Sequence, residues 1–100
     1  MKSYRVVFSP EAEAQLTQLY RYIADEASPE IALGFTSAII DHCESLDQMP
    51  HRGVARGDLR PGLRTLSFRG RVLIAYAVGK DTVTILGIFY GGQDFETLLR

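Results

Sequence analysis

Arginine side chains are concentrated in one short stretch of this 100-residue chain. From His51 to Arg71 there are six arginines and a single acidic residue, Asp58. The six are Arg52, Arg56, Arg60, Arg64, Arg69 and Arg71. A guanidinium carries a planar fork of N–H donors that fits a carboxylate or a phosphate better than an ammonium does. We call this stretch the arginine band and expect it to bind an anionic partner.

The arginine band lies in the basic half of a dipolar chain. Residues 1–50 carry three basic and eight acidic side chains, a net charge of −5. Residues 51–100 carry eight basic and four acidic side chains, a net charge of +4. The formal net charge is therefore only −1. Such a net charge is weak for binding to a large polyanion, where the release of counterions dominates affinity.

Composition limits the class of protein. Apolar residues make up 46% of the chain, with five tyrosines and five phenylalanines, which predicts a single ordered domain over residues 1–100. No apolar run approaches the ~20 residues that cross a bilayer, and the N-terminus lacks the apolar core of a signal peptide. We therefore expect no membrane partner. The single cysteine, Cys43, fits a reducing cytosol, so the predicted location is cytoplasmic.

Few residues outside the arginine band could do chemistry. His42 and Cys43 fall within a helical pattern, and His51 follows Pro50 with no acid close in sequence. We expect no metal, no cofactor and no small-molecule substrate. One enzymatic alternative remains, which is cleavage of a phosphodiester by Arg64, Arg71 and Tyr90. These residues would orient an RNA and stabilise the phosphorane without a histidine.

The first half of the chain predicts one strand and two helices. Tyr4–Phe8 is a short β-rich run. Ser9-Pro10 and Ser28-Pro29 are both helix start signals, because serine caps the helix and proline suits its first position. Apolar residues follow each signal at spacings of three and four until Pro50. Two such helices with almost no linker must fold back as an antiparallel hairpin.

The second half predicts a loop and a sheet. Prolines and glycines mark residues 49–62 as a loop. Three strand-like runs follow at Leu63–Phe68, Arg71–Val78 and Thr82–Tyr90, joined by turns at Arg69-Gly70 and Lys80-Asp81. The predicted fold is α+β with the order β-α-α-β-β-β, in which an antiparallel meander is covered on one face by the helical hairpin.

Two-residue turns would fix which side chains share a face of the meander. The face under the helices would hold Val72, Ile74, Tyr76, Val78, Val83, Ile85 and Phe89. The opposite face would hold Arg64, Leu66, Phe68, Arg71, Leu73, Leu86, Ile88 and Tyr90. An exposed apolar patch of this size predicts a protein partner. Two alternatives stay open: Phe95, Leu98 and Leu99 could cover that face, and a three-residue second turn would exchange the faces of the last strand.

Three stretches of the chain resemble the ParE-type toxins of the RelE/ParE superfamily, which act in plasmid stabilisation and other type II toxin–antitoxin systems. The first is the opening of the first helix, Ser9–Leu16. The second runs from Asp58–Arg64 to Phe68–Tyr76, and the third is the ending, Val83–Asp94. Together these stretches span almost the whole chain. The resemblance implies a cytoplasmic protein, encoded with a ParD-type antitoxin, that traps DNA gyrase on cleaved DNA and is not itself an enzyme.

The resemblance and the residue patterns together give a site prediction. Arg60, Arg64 and Arg71 are predicted to bind the target, DNA gyrase or its DNA complex. Five apolar residues are predicted to bind the antitoxin, whose C-terminal segment wraps the toxin in this family: Leu66, Phe68, Leu73, Leu86 and Ile88. One alternative is a RelE-like ribosome-dependent mRNA endoribonuclease, since Tyr90 stands where many ParE-like chains carry histidine. The other alternative is an inactive homologue that only binds an antitoxin.

Overall fold

A computed structural model describes residues 3–91 and has an α+β architecture. Its elements are β1 (Arg5–Phe8), α1 (Pro10–Glu26), α2 (Pro29–Glu44), a 3₁₀ turn (Ser45–Asp47), β2 (Val54–Ala55), β3 (Leu63–Phe68), β4 (Val72–Val78) and β5 (Thr82–Tyr90). The predicted fold class and order of elements are confirmed. The 3₁₀ turn and β2, which lies inside the predicted loop, are additions. None of the helices between residues 3 and 91 is long and apolar enough to span a membrane.

The five strands form one mixed sheet in the order β1-β5-β4-β3-β2. Strands β3, β4 and β5 form the predicted antiparallel meander. At one edge β1 pairs with β5 in parallel, and at the other edge the two-residue β2 pairs with β3 antiparallel. Strand β1 therefore pairs with the first half of β5 and leads directly into α1.

Both helices begin at a serine followed by proline. Ser9 Oγ accepts a hydrogen bond from the Ala12 N–H at 3.1 Å, and Ser28 Oγ accepts one from the Ile31 N–H at 3.1 Å. Each proline occupies a position where the helix needs no backbone donor. Because α1 ends at Glu26 and α2 begins at Pro29, the two helices pack against each other as a hairpin.

The main core lies between this hairpin and one face of the sheet. Its buried helical members are Ala12, Leu19, Ile39 and Cys43, with Leu46 from the 3₁₀ turn. Its buried strand members are Phe68, Val72, Ile74, Tyr76, Val83, Ile85 and Ile88. Burial of these side chains is the main force that holds the two layers together.

The β3–β4 turn contains one residue more than predicted. Arg69 and Gly70 form the tight turn, with φ values of 52° and 67°, and the Arg71 N–H donates to Phe68 O at 3.1 Å. Strand pairing, however, joins Phe68 to Val72, so Arg71 is an extra residue between turn and ladder. This shift places Arg64, Leu66 and Phe68 on the same face as Val72, under the helices. The prediction that they lie on the helix-free face was wrong.

A second extra residue changes the phase of β5. Ala75 pairs with Gly87, but Tyr76 pairs with Ile85, which leaves Leu86 as a β-bulge. Val83 and Ile85 therefore share the helix-covered face with Ile88 and Tyr90. In a regular strand, odd-numbered and even-numbered residues would point to opposite faces. The predicted faces of Ile88, Tyr90 and Phe89 were wrong for this reason.

The helix-free face is not the broad exposed apolar surface that was predicted. Leu63, Ala75 and Phe89 are buried there, and Leu59, Leu73 and Leu86 are partly buried against them. The Phe89 ring folds back over Gly87, where an added Cβ would lie 2.6 Å from two ring atoms. The positions Phe95, Leu98 and Leu99, predicted as a possible cover for this face, lie outside the described residues.

Strand β1 covers only the first part of the outer edge of β5. The two strands pair from Thr82 to Ile85. Beyond that point Ser9 Oγ donates to Leu86 O at 3.2 Å, and Gln15 Oε1 accepts the Ile88 N–H at 2.7 Å. Two side chains at the start of the first helix thus supply the hydrogen bonds that another strand would make.

The two serine caps provide a matched test of this arrangement. Ser28→Ala should lower the free energy of unfolding by about 1 kcal/mol, the usual loss for a helix cap. Ser9→Ala should lower it by about 2 kcal/mol, because the bond to Leu86 O is lost as well. Urea denaturation of both variants checks the difference. Equal losses would mean that the bond from Ser9 to β5 contributes nothing.

Candidate functional site

The arginine band is divided between the two ends of the β3–β4 hairpin. Arg52, Arg56, Arg60 and Arg64 lie in the loop before β3 and at its start, and we call them the loop cluster. Arg69 and Arg71 lie in the turn after β3, and we call them the turn cluster. Arg64 and Phe68 are four positions apart along β3, a rise of roughly 13 Å. The band therefore forms two surfaces instead of one continuous track.

Arg64 holds the loop against the sheet. Its Nη1 donates to His51 O at 3.1 Å and to Gly53 O at 2.7 Å. Directly opposite on β4, the buried Tyr76 Oη accepts a hydrogen bond from the Gly53 N–H at 2.8 Å. Arg64 and Tyr76 thus bind one backbone segment from two adjacent strands. This geometry makes Arg64 a positioning residue for the loop that carries Arg60.

Gly53 is required by close approach of the two backbones. A Cβ built at this residue would lie 2.6 Å from Thr65 O and 2.6 Å from Tyr76 Oη. Both atoms are held in place, since one is backbone of β3 and the other belongs to a fully buried side chain. Any larger residue would push the loop away from the sheet and break the bonds that Arg64 and Tyr76 make.

The other members of the loop cluster differ in their contacts. Arg56 forms a two-point ion pair with Asp58, at 3.0 Å from Nε and 2.9 Å from Nη2. Arg52 donates from Nη2 to Ser45 Oγ at 2.9 Å. Arg60 is exposed, and its carbonyl closes the loop by accepting the Leu63 N–H at 3.1 Å. Arg60 is therefore the member of this cluster whose charge is directed to solvent.

The turn cluster lies beside Tyr90. Arg71 is exposed, and its carbonyl accepts the Gly91 N–H at 3.4 Å. Tyr90 points to the helical side, where its ring centroid is 6.2 Å from that of Tyr22 and 6.3 Å from that of Phe35. The trio considered for phosphodiester cleavage is therefore split, with Arg71 near Tyr90 at one end of the hairpin and Arg64 at the other.

Comparison with known proteins assigns the domain. The family described as the ParE toxin of the type II toxin–antitoxin system parDE matches residues 6–95, which covers the chain from β1 to beyond β5.

The chain belongs to the ParE toxin family.

Two solved structures are similar to this chain. A chain of the chromosomal ParDE toxin–antitoxin system from P. aeruginosa is 25% identical, with a TM-score of 0.77. The match covers 88% of this chain and 96% of that one. A chain of the RelBE2 toxin–antitoxin complex from Mycobacterium tuberculosis is 22% identical with a TM-score of 0.63, and the coverage is 93% and 97%. This second likeness concerns the fold alone. No curated protein gives a significant match.

The five residues predicted to bind an antitoxin fall on two sides of the toxin's sheet. Leu73 and Leu86 lie on the helix-free face, half-buried beside Phe89. Leu66, Phe68 and Ile88 pack under the helices, and Phe68 and Ile88 belong to the buried core. A single docking surface cannot use all five. Of the five, Leu73 and Leu86 lie on the helix-free face, which is where the antitoxin was predicted to bind.

Burial shifts the pKa values of Cys43, His42 and Tyr76. Desolvation, with a smaller effect of Glu44, raises the pKa of the Cys43 thiol to about 12, so it is protonated and unreactive at neutral pH. Desolvation and then the nearby Arg52 charge lower the pKa of His42. Burial also raises the pKa of Tyr76, against the opposing effects of its bond to Gly53 and of Arg64. Tyr76 therefore keeps a neutral hydroxyl.

Sequence reasoning missed Tyr76 and Gly53. Tyr76 carried a usable signal, because a hydroxyl in the middle of the apolar run Val72–Val78 needs a hydrogen-bond partner once it is buried. Gly53 carried no signal in the sequence other than its place in a loop. Its partner atoms come from β3 and β4, which are more than ten residues away in sequence.

Two glycines of the loop provide a test of the clamp, by which we mean the bonds that Arg64 and Tyr76 make to the backbone of Gly53. Gly53→Ala should lower the free energy of unfolding by about 2–3 kcal/mol, because the clash displaces the loop and leaves polar groups of the clamp unpaired. Gly57→Ala is the matched control, since an added Cβ there meets nothing within 4 Å. It should change stability by less than about 1 kcal/mol. Urea denaturation measures both, and a Gly53→Ala protein as stable as the control would contradict the close approach.

Proposed function

We propose that this ParE-family toxin inhibits DNA gyrase by protein–protein contact in the cytoplasm and is neutralised by a ParD-type antitoxin. The family match over residues 6–95 is the observation that carries this proposal. The likeness to a chain of the P. aeruginosa ParDE system supports an antitoxin partner of the same type. The positive charge of the arginine band favours a target with an anionic surface.

The proposed contact with the target uses both clusters of the band. Arg60 in the loop cluster and Arg71 in the turn cluster are exposed, and either can reach an acidic group on gyrase or on its DNA complex. Arg64 acts differently, because its guanidinium is engaged by the carbonyls of His51 and Gly53. Its contribution to target binding is to hold the loop that presents Arg60.

The proposed inhibition does not involve catalysis by the toxin. A nuclease of the RelE type would need Arg64, Arg71 and Tyr90 around one phosphate, whereas they lie at two ends of a hairpin separated by roughly 13 Å of strand. Tyr90 is in contact with the helical rings of Tyr22 and Phe35. These placements favour inhibition by binding over cleavage of mRNA.

The proposed antitoxin contact is on the helix-free face. Leu73 and Leu86 are partly exposed there, next to the buried Leu63, Ala75 and Phe89. An apolar side chain of an antitoxin segment laid over this face would complete the burial of the two leucines. Substitution of Leu73 and Leu86 by serine should therefore weaken the complex with the antitoxin while the main core stays intact.

Purified toxin should be tested in parallel on gyrase and on translating ribosomes. We expect loss of DNA supercoiling with accumulation of cleaved DNA, and no cleavage of ribosome-bound mRNA. Cleavage of mRNA with normal gyrase activity would establish a RelE-like endoribonuclease. Activity in neither assay, together with binding to an antitoxin, would establish an inactive antitoxin-binding homologue.

Charge reversal then tests the two exposed arginines. The double variant Arg60→Glu, Arg71→Glu should raise the concentration needed for half-inhibition of gyrase roughly tenfold or more, since two attractive contacts become repulsive. Arg21→Glu, an exposed position on α1, is the matched control and should inhibit like the unaltered toxin. Equal inhibition by the double variant and the control would remove Arg60 and Arg71 from the contact.

A further inference from the structure

Arg69 has a backbone conformation that residues with a side chain rarely adopt. Its φ is 52°, and no other non-glycine residue between positions 3 and 91 has a positive φ. Glycine or asparagine would form the same two-residue turn at lower cost. Arginine at such a position is unfavourable for the fold, and strain of this kind tends to be kept where a side chain has a task.

The Arg69 side chain is stacked on aromatic rings. Its guanidinium carbon lies 4.8 Å from the centroid of the Phe68 ring and 5.9 Å from that of Phe35. Phe68 and Phe35 themselves meet edge to face at 5.8 Å, and Phe35 meets Tyr90 edge to face at 6.3 Å. Phe68 from a strand and Phe35 from a helix therefore both lie within cation–π distance of the guanidinium, and these contacts restrain it relative to a surface arginine that has none.

The N–H donors of this guanidinium are not used within the described part of the toxin. The ion pair found between residues 3 and 91 joins Arg56 to Asp58, and the side-chain hydrogen bonds of arginines in that range belong to Arg52, Arg56 and Arg64. Arg69 is exposed, and the side-chain contacts found for it among residues 3–91 are with aromatic rings. Its donors thus remain available to a partner while the ring contacts restrain the guanidinium.

We propose that Arg69 is the anchor of the target contact and binds a carboxylate on the protein surface of gyrase. This inference rests on the proposed function and adds to it the residue that determines specificity. A stacked guanidinium loses little conformational freedom on binding, so its paired hydrogen bonds to a carboxylate contribute more than those of a mobile side chain. Arg71, two residues further on, adds charge at the same end of the hairpin.

The surroundings of Arg69 favour a carboxylate of a protein over the phosphates of DNA. A DNA backbone needs a track of several cations. Here Arg69 and Arg71 are separated from the loop cluster by roughly 13 Å of strand. The neighbouring rings, with Tyr22 54% exposed, instead form the mixture of arginine and tyrosine typical of the energetic centre of a protein interface.

Binding of the toxin to purified gyrase, measured with and without DNA, tests the proposal. Arg69→Lys keeps the charge but loses the planar fork, and should raise the Kd roughly tenfold or more under both conditions. Arg69→Gly should raise the Kd at least as much while the melting temperature stays equal or rises, because glycine relieves the strained turn. Phe35→Leu removes one supporting ring and should raise the Kd several-fold with the charge intact.

Controls separate this inference from the proposed function. Arg5→Lys, at an exposed arginine of β1 outside the arginine band, should bind like the unaltered toxin. If the unaltered toxin does not bind gyrase, the proposed function fails and the inference fails with it. If it binds and the Arg69 variants bind equally well, the inference alone is overturned. A loss seen only when DNA is present would overturn the carboxylate in favour of a phosphate.

Discussion

Two single residues, Arg71 and Leu86, determine which side chains of the sheet are buried. Each is an extra residue that the partner strand does not match, the first beside the β3–β4 turn and the second in the middle of β5. Because side chains alternate with a period of two, one extra residue moves every following position to the other face. The bulge at Leu86 allows Ile85 and Ile88 to lie in the same core. Together the two extra residues bring apolar side chains of β3, β4 and β5 to one side of the sheet, where the helical hairpin covers them.

Features of the fold that depend on neighbouring residues could be predicted from the sequence, whereas the register between strands could not. Helix starts at Ser9 and Ser28 depend on neighbouring residues, and so do the strand runs and the tight turn at Arg69-Gly70. These predictions are confirmed, except that Arg71, predicted as the first residue of its strand, lies between the turn and the ladder. The register depends on pairing between strands, and neither Arg71 nor Leu86 differs in type from a regular strand residue. The exposed apolar face was a consequence of the assumed register, and it was wrong for that reason.

The arginine band shows a similar limit. The sequence indicates a concentration of positive charge, and the structure shows that its members have different partners. Arg64 binds carbonyls, Arg56 binds a carboxylate, Arg69 stacks on rings, and Arg60 faces solvent. A guanidinium can do each of these because it combines a charge, a flat face and several donors. Which of them it does is decided by the tertiary contacts around it, so a count of arginines alone overstates the charge available to a partner.

The glutamine of α1 that binds β5 also affects how the molecule behaves in a crowded solution. An unpaired stretch of strand edge can pair with the same edge of another molecule and start aggregation. Gln15 takes up the donor of Ile88, and Ser9 takes up the acceptor of Leu86, where the neighbouring strand has ended. An incoming chain would have to displace both side chains before it could form a ladder. The N-cap and the first turns of one helix thus block pairing along this stretch of the β5 edge without adding a strand.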